Sequence, residues 1–98
     1  MTGSPPVVSI TFCTQCKWLL RSSWYAQELL STFATSLGEV RLVPGEGGVF
    51  RIEVDGDTVW DRKQHGGFPE IAELKVLVRD HALPGFELGH IDRKRDRR

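Results

Sequence analysis

Two neighbouring segments restrict the fold of this chain more than any others. Val7–Phe12 is a short, apolar, β-branched-rich run behind Pro5 and Pro6, and Lys17–Leu37 is a long stretch free of proline and glycine. The first has the length and composition of a buried strand. In the second, Ala26, Leu29, Leu30, Phe33 and Leu37 recur at helical spacing, which predicts an amphipathic helix, with Gly38 where a left-handed C-terminal cap belongs. A strand followed at once by such a helix starts a βαβ unit. Val40–Val43 supplies the next strand, parallel to the first and stopped by Pro44 and Gly45.

The pattern then changes period. Phe50, Ile52 and Val54 alternate with Arg51 and Glu53 inside the run Val49–Val54, and Asp55-Gly56 follows directly. That combination predicts a hairpin whose return strand is Thr58–Arg62. Lys63–Gly67 reads as a polar loop. Pro69 suits the first turn of a second helix, Glu70 suits its dipole, and Ile71, Leu74, Leu77 and Val78 form its apolar stripe. Pro84-Gly85 ends that helix, and the chain from about Phe86 reads as loose. The expected order is β-α-β-β-β-α, an α/β sandwich with two helices on a mixed four-stranded sheet. The 98 residues suit one domain, residues 1–98, with an ordered core over 7–88 and a flexible basic tail over 89–98.

Composition excludes several classes. Formal net charge is zero, so no global field points to nucleic acid or to an anionic membrane. No apolar run approaches the roughly 20 residues a membrane helix needs, and Met1–Pro6 lacks the charged start and apolar core of a secretory signal. A cytoplasmic protein is the expectation. In that compartment a cysteine pair is more often catalytic or metal-binding than a structural staple.

The chain has two cysteines, Cys13 and Cys16, between the first strand and the first helix. Three readings compete. In the redox reading, helical N–H groups and Lys17 favour a thiolate, one sulfur attacks a disulfide, and the other resolves the mixed disulfide. Two intervening residues, Thr14 and Gln15, let both sulfurs face one mouth. In the metal reading, two more zinc ligands must come from His65, His81 and His90, whose spacing does not form the usual close pair. In the third, both are small buried apolar residues, against which the polar Thr14 and Gln15 speak. The strand–motif–helix context favours redox, because this is the thioredoxin-like arrangement.

The chain also resembles the selenoprotein W/T/H-related proteins, the Rdx family. The resemblance rests on the strand-then-Cys13-x-x-Cys16 start, on Gly47-Gly48-Val49-Phe50-Arg51-Ile52-Glu53-Val54-Asp55-Gly56, and on Gly66-Gly67-Phe68-Pro69-Glu70, at matching spacing from about Val7 to Leu88. It implies a thioredoxin-like fold and a role in redox homeostasis, antioxidant thiol exchange or thiol-mediated partner binding. Eukaryotic members carry selenocysteine at the position of Cys16, whereas thioredoxin attacks through the position of Cys13. The resemblance favours Cys16 as the reactive thiol, with a slower sulfur where relatives have a selenol. The expected partner is a thiol or disulfide protein, or glutathione. Neither cofactor nor metal is expected. A redox-gated binding module without turnover of its own is the alternative to a thiol–disulfide oxidoreductase.

Other residues are weighed against plainer roles. Trp18, Trp24 and Tyr25 form either an apolar lip beside the cysteines or ordinary packing. Trp60 reads as core or sheet-face packing. Gly47-Gly48 lacks the ending of a phosphate loop and reads as a turn passing close to the cysteines. Phe68 and Pro69 either line the mouth or close the core. His65, the one histidine placed in a loop near the motif, reads either as a proton acceptor for a thiol or as a lone surface histidine, the commoner case. The basic tail reads as a solvated end.

Overall fold

The computed structural model describes residues 3–96. Four strands form one mixed sheet: β1 (Val7–Cys13), β2 (Glu39–Gly45), β3 (Phe50–Val54) and β4 (Asp57–Asp61), in the order β2-β1-β3-β4. β1 runs parallel to β2 and antiparallel to β3, and β3 pairs antiparallel with β4. Helix α1 (Leu19–Phe33) crosses back over β1 and β2, and helix α3 (Ile71–Ala82) lies over β3 and β4 and touches α1. This two-layer arrangement is the thioredoxin-like α/β fold that the order of elements predicts.

The alternation of the central strands builds the core. Val8, Ile10 and Phe12 of β1 and Phe50, Ile52 and Val54 of β3 are all buried on one face of the sheet. They pack on Tyr25, Leu29 and Phe33 of α1 and on Leu74 and Val78 of α3. The hairpin turn falls at Asp55-Gly56, both with positive φ (50° and 88°), as a primed turn requires. The Asp55 carboxylate also accepts from the Val7 N–H at 2.9 Å, tying the turn to the start of β1.

Several element ends differ from expectation. α1 stops at Phe33, where Ala34 takes a φ of 47°, and a 3-10 turn (Ala34–Ser36) carries the chain on to Leu37. Gly38 is therefore no left-handed cap. It is needed for close approach: a Cβ there would lie 2.9 Å from the Pro5 carbonyl oxygen, while its N–H donates to Pro6 at 2.7 Å. β2 runs through Pro44 to Gly45, which an edge strand tolerates because one side of its backbone needs no partner. Part of the expected loop after β4 is a single helical turn, α2 (Arg62–His65), capped by the Asp61 carboxylate and ended by Gly66 at φ 76°. Pro69 precedes α3 rather than sitting in its first turn, and Glu70 is its N-cap residue.

The stretch expected to be loose carries a fourth helix, α4 (His90–Asp96). Arg79 of α3 holds it. Its guanidinium makes a two-pronged contact with the Asp92 carboxylate, both arms 2.9 Å, and donates to the Phe86 carbonyl at 2.8 Å. Phe86 packs on Phe33, ring centres 4.8 Å apart. The part of the expected basic tail at 97–98, and residues 1–2 of the N-terminal segment, lie outside the described residues.

Candidate active site

β1 ends at Cys13, whose N–H donates to the Val49 carbonyl at 2.8 Å. The N–H and hydroxyl of Thr14 both donate to the Gly45 carbonyl, at 3.1 and 3.3 Å. The chain then turns sharply over Thr14–Lys17, with the Lys17 N–H donating to Thr14 at 3.1 Å and Lys17 itself at φ 60°. A left-handed non-glycine residue costs about 1–2 kcal/mol, and such strain collects at functional turns. α1 begins only at Leu19, with Trp18 as its N-cap residue. The helical stretch expected from Lys17 starts two residues later, so the thiols sit in a separate turn ahead of it.

This turn brings the two sulfurs to 2.8 Å, with the Cys16 thiol donating to the Cys13 sulfur. Both are free thiols. Cys13 is only 1% exposed, whereas Cys16 is half-buried and open to solvent. The Cys16 hydrogen bond holds the Cys13 thiol below its ordinary pKa against the opposing effect of burial, helped by the backbone N–H groups of Gly48, Cys16 and Gln15. The same hydrogen bond raises Cys16, with burial and the Cys13 charge adding to it, while the Arg62 cation and the Gly48 N–H oppose. The first proton of the pair therefore leaves easily and the second with difficulty, as expected for two coupled groups.

Gly48 bears out the turn read at Gly47-Gly48, and Arg62 is the residue the sequence does not mark as functional. Gly47 and Gly48 both have positive φ (72° and 76°), which aims the Gly48 N–H at the sulfurs. Arg62 fixes that loop, donating to the Gly48 carbonyl from Nη2 and Nε at 3.0 and 3.3 Å. Its guanidinium lies 5.0 Å from the Trp18 ring centre. Lys63 holds the adjacent Gly47 carbonyl at 3.1 Å. The glycine pair signals a close backbone approach in sequence. Nothing in the run Asp61-Arg62-Lys63 singles out Arg62, whose role appears only when β4 is placed beside β3.

Trp18 and Phe68 meet edge to face beside the cysteines, 5.0 Å apart, so Phe68 both borders the mouth and reaches the core through Phe50 at 4.9 Å. Pro69 is buried beneath, its carbonyl accepting from the Tyr25 hydroxyl at 2.6 Å. Tyr25 is 1% exposed and is thus core rather than lip, while Trp24 is 47% exposed. Thr14, Gln15 and Lys17 are exposed on the rim of the turn. Trp60 is buried, donates to the Gly67 carbonyl and stacks on His65, which also contacts Asp61. His81 pairs with Asp57. Among the described residues no three His, Cys, Asp or Glu side chains gather as a metal site.

A mixed sheet whose first strand delivers a Cys-x-x-Cys turn to the start of a packed helix defines a thioredoxin-like protein. Residues 7–80 match the Rdx family, and the chain belongs to that family. It is similar to a Bordetella parapertussis protein of known structure, with 64% identity over 79% of this chain and 98% of the other and a TM-score of 0.78. It is also similar to a selenoprotein W-related protein from Vibrio cholerae, with 49% identity, coverage of 78% and 95%, and a TM-score of 0.76. No curated protein matches the chain. Among the described residues no helix is long and apolar enough to cross a membrane.

Proposed function

We propose that this protein is a thiol–disulfide redox protein of a reducing compartment, in which Cys13 and Cys16 cycle between dithiol and disulfide. The observation that carries this reading is the 2.8 Å contact between two free thiols, one buried and one open to solvent. In the proposed step Cys13, having first given its own proton to solvent, takes the Cys16 proton as the Cys16 sulfur attacks one sulfur of a partner disulfide. The partner's S–S bond breaks, a mixed disulfide forms, and the departing thiolate takes a proton from solvent. Cys13 then attacks Cys16, releasing the partner's second sulfur with the remaining proton. Two electrons have passed to the partner, with two protons, one from the pair and one through solvent. Cys13 acts first as the base and then as the resolving thiol. Arg62 and the Gly48 N–H favour the Cys16 anion as it forms. Lys17, on the rim, adds positive charge beside the turn.

Alkylation rate against pH, resolved by peptide, tests this. The pair loses its protons in two steps, the first below and the second above the ordinary thiol value of about 8.5. Arg62→Gln moves the Cys16 step to higher pH, because the cation that favours its charged form is gone. Two independent thiols of ordinary pKa would contradict the reading.

A further inference from the structure

The basic residues of this chain are not distributed as its zero net charge suggests. Away from the cysteines, Arg41, Arg51, Lys75 and Arg79 each contact a carboxylate within 4.0 Å. At the cysteine end, the side chains of Lys17, Arg21, Arg62 and Lys63 form no ion pair among the described residues, although the Asp61 carboxylate accepts from the Lys63 backbone N–H at 2.9 Å. Arg62 and Lys63 bond backbone carbonyls instead. Arg21 lies 4.1 Å from the Phe68 ring centre and its charge reaches Tyr25, as does that of Glu70, with no ion-pair contact between Arg21 and Glu70. Because Phe68 touches Trp18 and Trp18 carries Arg62, two guanidinium groups flank one aromatic pair beside Cys16. The same end exposes apolar surface. Leu20 is 84% and Trp24 47% exposed, one turn apart on α1, with Arg21 beside them.

We infer that the face formed by Lys17, Leu20, Arg21, Trp24 and Arg62 docks a protein disulfide whose cysteine is flanked by acidic and apolar residues. This rests on the redox reading of Cys13 and Cys16. Cations not tied into ion pairs around a reactive sulfur attract an anionic partner and raise its association rate, and the effect fades with salt. The exposed leucine and tryptophan ask for apolar side chains, which a polypeptide supplies and a small polar disulfide does not.

The test uses the full-length reduced protein and compares its rate of oxidation by four probes. These are a short peptide disulfide with Glu and Leu around the cysteine, the same peptide with Lys in place of Glu, oxidised glutathione, and neutral hydroxyethyl disulfide. At low ionic strength the Glu peptide reacts faster than the Lys peptide by about tenfold, and the gap closes in high salt. Intrinsic reactivity cannot produce this order, since neighbouring lysines make the departing thiol the better leaving group. Arg21→Glu and Lys17→Glu each bring the Glu-to-Lys rate ratio toward one, and Leu20→Ser lowers the advantage of the Glu peptide over oxidised glutathione. Equal rates for the two peptides, or a ratio that neither charge reversal moves, overturn the inference. Oxidised glutathione matching the Glu peptide overturns the commitment to a polypeptide partner. Failure of every probe, hydroxyethyl disulfide included, sinks the redox reading and the inference with it.

Discussion

Cys13→Ser should trap partner disulfides on Cys16 as stable mixed disulfides, whereas Cys16→Ser should trap almost nothing and slow disulfide exchange by about 100-fold or more. The asymmetry follows from access. Cys13 is sealed behind the turn at 1% exposure, fixed by its own strand pairing and by Val49, and an incoming disulfide cannot line up with its sulfur. Cys16 lies nearer to solvent and can be approached. The easier ionisation of Cys13 does not reverse this, because a proton can pass between sulfurs 2.8 Å apart. What Cys13 contributes is a base for the first step and a second sulfur for the next one. Removing it leaves attack without resolution, and mass spectrometry of the variant after incubation with a peptide disulfide reads the adduct directly. Trapping on Cys13 in the Cys16→Ser variant at a comparable rate would reverse the assignment.

The largest effect on stability is expected from Phe50→Ala. Phe50 is 1% exposed, lies opposite Phe12 in the sheet, and packs its ring on Tyr25 at 5.7 Å and on Phe68 at 4.9 Å. Truncating a buried phenylalanine costs about 3–5 kcal/mol through lost burial and the cavity left behind, against a total stability of about 5–15 kcal/mol for a domain. The urea midpoint should fall accordingly. Because Phe68 rests on Phe50 and Trp18 on Phe68, the change also loosens the mouth of the site, so Trp18 fluorescence shifts under conditions where the variant is still folded. A midpoint within error of the wild type would contradict the packing described for this core.

The periodic parts of the fold were legible because they obey local rules. Val7–Phe12, the alternation of Phe50, Ile52 and Val54, and Asp55-Gly56 each state their structure within a few residues. Element ends were less so. The helical pattern runs on to Leu37, but Ala34 adopts a left-handed φ that no sequence rule assigns to alanine. α4 was missed because its hold comes from Arg79, a residue on another helix, and a run rich in arginine and lysine carries no apolar stripe to announce docking. At the site, the cysteine pair and the Gly47-Gly48 turn were visible, while the electrostatics were not. The sequence puts Lys17 and a helix N-terminus beside the thiols. In the fold the N–H groups come from the turn and from Gly48, and the cation acting on Cys16 is Arg62, brought from the far end of β4. Spatial neighbours that are distant in sequence leave no periodic trace.

The most direct test equilibrates the full chain across a series of thiol–disulfide redox buffers, quenches with acid, alkylates and maps the cysteine peptides by mass. A Cys13–Cys16 intramolecular disulfide should replace the two alkylated thiols in one two-electron transition, with Cys16 adducts as the transient species. Finding neither that disulfide nor any adduct at any potential would contradict the redox assignment.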